Sequence, residues 1–235
     1  MTYYTLKFLN FSLSILTLTY ILPGFAQSKF PSKDNSLTSE IVFQDSLEPP
    51  GDPEPKDTKG SGSRDGKKCS PQEQDIKPLM PESNYGLTLQ KHPTIFVRLP
   101  KTTAKRVMLS FQDEARNYYQ RSFLPITENG IVSFKLPEDK PFLSIGKNYK
   151  WSLVIVCGDT VQPDDPTFIG WVQRVQKTPQ IENRLIGKNA VEKAKWYGKN
   201  RFWYEMLREI QQARKTESNN IELSASLQQL LESVE

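Results

Sequence analysis

The chain has one histidine, His92, and two cysteines, Cys69 and Cys157, among 235 residues. A single imidazole leaves only one conventional acid–base group for work near neutral pH. It stands in Leu89-Gln90-Lys91-His92-Pro93, just ahead of an apolar alternation. No G-x-S-x-G is present to hold a nucleophile on a strained elbow, and these three residues are too few to ligate a structural zinc. His92 is therefore read as a strand-entry residue, and no catalytic residue, cofactor or metal is expected. A run of about 20 apolar residues, which a membrane span requires, is also missing. Residues 8–22 come nearest, but Asn10, Ser12, Ser14, Thr17 and Thr19 interrupt them. Charge of one sign is not in excess either: 31 Lys and Arg face 27 Asp and Glu, for a net charge of +4. The small surplus is spread along the middle of the chain rather than clustered, so no nucleic-acid partner is expected.

What is present begins at the N-terminus. Lys7 precedes the apolar-leaning stretch, and Pro23-Gly24-Phe25-Ala26 places small residues three back and one back from Gln27. That layout is a secretory signal peptide cleaved after Ala26. It predicts a periplasmic or secreted protein with no membrane span after cleavage. In an exported chain an even pair of cysteines reads as a disulfide. Cys69–Cys157 would then staple the end of a polar tract to an apolar run; the alternative is two unrelated thiols.

Composition divides the rest. Residues 27–68 read as a disordered linker, because residues 44–68 hold four prolines, four glycines and one clearly apolar residue, Leu47. Such a segment buries too little apolar surface to offset the entropy of ordering it; as a coil it would span about 35 Å. The trio Ile41-Val42-Phe43 is the one place where a docking strand is conceivable, and chance is the favoured account of it. From Pro81 short alternating runs recur, at Ile95/Val97/Leu99, Val107/Leu109/Phe111, Tyr118 to Phe123, Ile131 to Leu136, Tyr149/Trp151/Leu153/Ile155, and Phe168 to Val175. Their spacing predicts an immunoglobulin- or fibronectin-like antiparallel β-sandwich over residues 69–178. Tyr149 sits where such sandwiches fold a tyrosine hydroxyl back onto the corner before strand F.

After Pro179 the period changes to that of helices, forming a small C-terminal hairpin region over 179–235. Breaks are expected near Gly187 and Gly198. One stripe runs through Trp203, Met206, Leu207 and Ile210, and another through Leu223, Leu227, Leu230, Leu231 and Val234. A lone helical hairpin cannot bury its own face, so it should pack on the sandwich or on a partner.

Few residues suggest chemistry. Asp159, Asp164 and Asp165 lie in a loop after Cys157; calcium is one reading, but the spacing fits no EF-hand, and turn formation is favoured. A rigid loop at a disulfide also suits recognition. Tyr118-Tyr119 and Trp196-Tyr197 are candidate aromatic platforms, with one member of each pair expected to face the core. Asp113-Glu114 and Glu138-Asp139 read as solvated charges in hairpin turns.

Several stretches together resemble a family of exported cyanobacterial proteins known as domain of unknown function 928. They are Gly86-Leu87-Thr88, His92-Pro93-Thr94, Gly130-Ile131-Val132-Ser133, Gly146-Lys147-x-Tyr149-x-Trp151, Cys157, Gly170-Trp171-Val172-x-Arg174-Val175 and Trp203-Tyr204-Glu205. The resemblance covers roughly residues 69–233. It implies a signal peptide, paired cysteines and the same domain order, and supplies no catalytic residues. Where the family tends toward Trp-Tyr-Asp-Ala, this chain has Trp203-Tyr204-Glu205-Met206. The expected function is that of a non-catalytic envelope protein that binds another protein. The alternatives are a carbohydrate-binding module, signalled by exposed coplanar Tyr118, Trp171 or Trp196, and a hydrolase, signalled by a carboxylate or hydroxyl on His92.

Overall fold

Alternation of buried and exposed residues builds eight strands into two facing sheets, in a computed structural model that describes residues 41–50, 69, 76–216, 224, 225 and 228. The expected signal peptide, residues 27–40 and 51–68 of the expected linker and the stripe from Leu223 to Val234 lie outside the described residues, apart from the isolated positions just named. The strands are β1 (Lys77–Pro78), β2 (Tyr85–Thr88), β3 (Ile95–Leu99), β4 (Arg106–Asp113), β5 (Tyr119–Pro125), β6 (Gly130–Phe134), β7 (Asn148–Val156) and β8 (Thr167–Arg174). One sheet has the order β1-β3-β6 and the other β2-β8-β7-β4-β5. The fold is thus mainly β, with two packed sheets and three helices that follow them.

In β7 the inward row is Tyr149, Trp151, Leu153 and Ile155, all buried; on β4 Val107, Leu109 and Phe111 face the same core. The period of two dictates this, since one slip in register would turn the whole apolar row to solvent. The corner before β7 closes as expected, with the Ser144 amide donating to the Tyr149 hydroxyl at 2.9 Å.

Two expectations about the sheets are corrected. Pairing is not wholly antiparallel, because β2 runs parallel to β8. The chain leaves β1, turns through Pro81–Asn84 with Asn84 at φ 57°, and crosses to the other sheet beside β8. Asn84 tolerates that left-handed backbone better than most residues. Glu138-Asp139 does not lie in a hairpin: β6 and β7 belong to different sheets, so this loop is a crossover.

The helices are α1 (Pro179–Leu185), α2 (Ala190–Lys199) and α3 (Trp203–Thr216). Thr178 caps α1, with Pro179 in its first turn, and Asn189 with Glu192 forms a reciprocal capping box on α2. The helices break near Gly198 as expected: it sits in the last turn of α2, which ends at Lys199, and the bend comes at Arg201, whose φ is 66°. Gly198 is required for another reason. A Cβ there would lie 2.5 Å from the carbonyl oxygen of Val42.

That contact corrects the linker expectation for its described part. Ile41 is buried, the Phe43 ring meets Trp203 edge-on at 4.8 Å, and the Gln44 amide donates to the Gly198 carbonyl at 3.1 Å. Asp45 then accepts from the Ser83 amide at 2.8 Å. The apolar trio supplies the surface that the surrounding polar tract lacks, so this short piece is ordered against α2 and α3.

Helix α3 completes the sandwich rather than standing apart from it. Its residues Trp203, Tyr204, Met206, Leu207 and Ile210 join the same core as the strands. Gly86 on β2 permits the approach, since a Cβ there would meet Trp203 Cβ at 2.6 Å. Trp203 Nε1 donates to the Leu79 carbonyl at 2.9 Å. The Tyr204 hydroxyl accepts from Trp151 Nε1 and donates to the Trp171 carbonyl, both at 2.9 Å. The Leu87 amide at the β2 edge donates to Arg201. One flank of the sandwich is therefore sealed by helix.

Candidate functional site

The loop after β7 is built by turn chemistry. Asp165 is fully buried; one oxygen accepts from the Cys157 amide at 3.4 Å and the other from the Gln162 amide at 2.9 Å. This carboxylate is committed to the loop's own backbone. Asp159 is exposed and offers its carbonyl to the Arg106 guanidinium, and Asp164 is exposed. Among the described residues no three His, Cys, Asp or Glu side chains come together as a metal site, so the calcium reading gains no support. Cys157 is bonded to Cys69, whose carbonyl accepts from Thr102 Oγ1 at 2.7 Å and the Thr103 amide at 2.9 Å. The expected disulfide is present and joins two loop ends.

The aromatic pairs divide between core and surface. Tyr118 is half-buried; its hydroxyl donates to the Pro141 carbonyl and its ring meets Tyr149 edge-on at 5.1 Å. Burial pushes its phenol up to about 12. Tyr119 points outward and is 50% exposed. Tyr197 is buried, while Trp196 stacks on Phe202 with rings 5.8 Å apart. Trp171 is only 8% exposed, and the Lys150 ammonium lies 6.0 Å from its ring centre. Asp113 is not a solvated turn charge; it is buried and accepts from the Tyr118 amide at 3.0 Å.

His92 is 8% exposed, and its Nε2 hydrogen-bonds the Lys140 carbonyl at 2.9 Å. This links the entry of β3 to the β6–β7 crossover, and a backbone carbonyl is not the carboxylate or hydroxyl that a hydrolase would need.

Sequence reasoning missed the most unusual ionisable group. Glu205 on α3 is 1% exposed, and its Oε1 accepts from the Thr88 hydroxyl at 2.8 Å and the Leu89 amide at 2.7 Å. Its Oε2 is buried without a hydrogen-bond partner. Burial raises its pKa, opposed by those two hydrogen bonds and by Arg208. The signal was an acid flanked by Trp203-Tyr204 and Met206-Leu207, where each neighbour is itself buried. Because the folded state holds this proton more tightly than the unfolded chain, its favourable contribution is complete below pH 4.5 and declines as pH rises through the raised value. Glu205→Gln keeps an acceptor for Thr88 and Leu89 and removes the charge. The Tm difference between this variant and the natural chain is expected to widen in the variant's favour as pH rises. Thermal melts across the acid-to-neutral range check this; parallel curves would mean that Glu205 does not titrate there.

The remaining feature is the flank opposite the helices, where β5 is the outer strand of the five-stranded sheet. Its outward face carries Tyr119, Arg121 and Phe123, all exposed. The Arg106 guanidinium lies 4.9 Å from the Phe123 ring centre.

The Cys69–Cys157 bond agrees with the paired cysteines that the family resemblance implied, and a family model decides the matter. Domain of Unknown Function (DUF928) matches residues 59–235. The chain belongs to this family. The DUF928 match takes in both sheets, the disulfide and all three helices. A solved structure, the fn3 domain of human collagen alpha-1(XX) chain, is similar at 13% identity and a TM-score of 0.30, covering 39% of this chain and 77% of that one. No curated protein matches this DUF928 member.

Proposed function

We propose that the protein is exported and serves the cell envelope as a non-catalytic protein-interaction module. Export rests on the leader-like layout of residues 1–26 and suits a chain whose two cysteines are bonded to each other. The observation that carries the interaction reading is the asymmetry of the flanks. Helix α3 seals the β2 side, while among the described residues β5 keeps an open edge with two half-exposed aromatic rings. Open strand edges tend to be blunted or covered unless something pairs with them. The carbohydrate alternative loses its three rings, since Tyr118 and Trp171 are packed and Trp196 is stacked on Phe202. The hydrolase alternative loses its base, because His92 is spent on a backbone carbonyl.

The test is crosslinking of the tagged chain inside its native envelope, with mass spectrometry of the captured species. A stoichiometric protein partner is expected. Recovery of wall glycan in its place, or of nothing, would overturn the reading.

A further inference from the structure

Strand β5 exposes main-chain groups as well as side chains. The Asp113 amide donates to the Tyr118 carbonyl, and the Ile126 amide donates to the Lys105 carbonyl. Between these two closed pairs, hydrogen bonding alternates along an antiparallel ladder. Gln120, Ser122 and Leu124 therefore turn their backbone groups toward β4, while Tyr119, Arg121 and Phe123 turn theirs away. Pro125 has no amide, which ends the free edge there. The side chains of Tyr119, Arg121 and Phe123 fall on one face of the strand, because successive residues alternate. Arg121 is exposed and has no ion pair among the described residues. Across from it on β4 stands Ser110, and the neighbours across from Tyr119 and Phe123 are Gln112 and Met108. Glu114 lies beyond one end of the strand and Glu128 beyond the other; the face between them holds Arg106, Arg121 and Lys150.

We infer that β5 is the docking edge and takes an extended segment of a partner protein as an added strand, with a partner carboxylate beside Arg121 and apolar partner side chains beside Tyr119 and Phe123. The inference rests on the interaction reading above. Strand addition draws affinity from main-chain hydrogen bonds and specificity from alternate side chains. Here the specificity comes from one cation between two rings, so an acidic residue flanked at two positions on either side by apolar ones is the matching sequence. A second copy of this chain fits less well, since pairing β5 with itself about the middle of its three outward groups, Tyr119, Arg121 and Phe123, sets Arg121 against Arg121, and like charges directly opposite repel.

The probe is the peptide Ser-Thr-Val-Thr-Glu-Thr-Val-Thr-Ser, with a counterpart bearing Lys in place of Glu, added to the exported chain. Amide hydrogen exchange is read at Tyr119, Arg121 and Phe123. The Glu peptide is expected to slow exchange there about tenfold, and Arg121→Glu is expected to abolish that effect and to transfer it to the Lys peptide. Equal protection by both peptides, or by neither, would overturn the inference. So would self-association of Arg121→Val without peptide binding, since Arg121 would then be a guard against edge pairing. Photo-crosslinkers at Tyr119 and at Ile186, an exposed residue just after α1, separate the two readings. A partner captured at Ile186 but not at Tyr119 leaves the interaction module standing and removes β5 as its edge. Capture at neither removes both. Capture at Tyr119 counts only if Arg121→Glu eliminates it.

Discussion

Trp203→Ala is expected to destabilise the protein by about 3–5 kcal/mol, the usual cost of emptying a large aromatic site. The figure is large because Trp203 is engaged on several sides at once. Its Cβ lies against Gly86 of β2, its indole Nε1 satisfies the Leu79 carbonyl, and its ring faces Phe43 of the N-terminal segment. Removing it orphans a buried carbonyl in addition to opening a cavity, which adds roughly 1–3 kcal/mol if water does not enter. Native domains are stable by only about 5–15 kcal/mol. The variant should therefore show a much lower urea midpoint, and the sandwich should melt together with the helices. Trp203→Phe, which retains most of the ring and loses the hydrogen bond, should fall well short of that loss. Helices that melt before the strands would mean that α3 is an accessory rather than part of the core.

Breaking the disulfide is the second large effect. Cys69 and Cys157 are separated by 88 positions, and in the chain-entropy description closing a loop of that length restricts the unfolded ensemble by about 4–5 kcal/mol. Reduction, or Cys69→Ser with Cys157→Ser, should lower the urea midpoint accordingly. It should also free Cys69 from the end of β7, leaving its carbonyl contacts with Thr102 and Thr103 in the β3–β4 connection. The oxidised chain should be two hydrogens lighter than its thiol form by non-reducing mass analysis. An unchanged midpoint on reduction would mean that the bond contributes little beyond what those backbone contacts already hold.

These expectations divide between what can be read along the chain and what cannot. Strands β3, β4, β6, β7 and β8 are legible because each buries alternate residues of its own, such as Val107, Leu109 and Phe111, and that pattern depends on the local period alone. The Tyr149 corner is legible for a similar reason, since its hydroxyl bonds an amide only five residues away. Strands β1 and β2 are not. They are two and four residues long, too short for alternation to register, and Gly86 contributes no side chain to it. Their positions are decided by Trp203 and Tyr204, more than a hundred residues later.

The same holds at the sites singled out. Asp159, Asp164 and Asp165 look alike in sequence, and only the folded loop buries Asp165 on the Cys157 and Gln162 amides. Gly198 is legible as marking the break between α2 and α3, but the approach of Val42 from far earlier in the chain, which leaves no room there for a Cβ, is not. Sequence alone determined the sandwich class and the helical tail, because local period admits few alternatives, whereas it left the cysteines either paired or unrelated until the fold brought Cys69 to Cys157. Tertiary structure decided which edge is sealed, which stays open among the described residues and which carboxylate is buried. Each of those depends on surfaces from distant segments meeting, and burial is a property of the neighbours rather than of the residue.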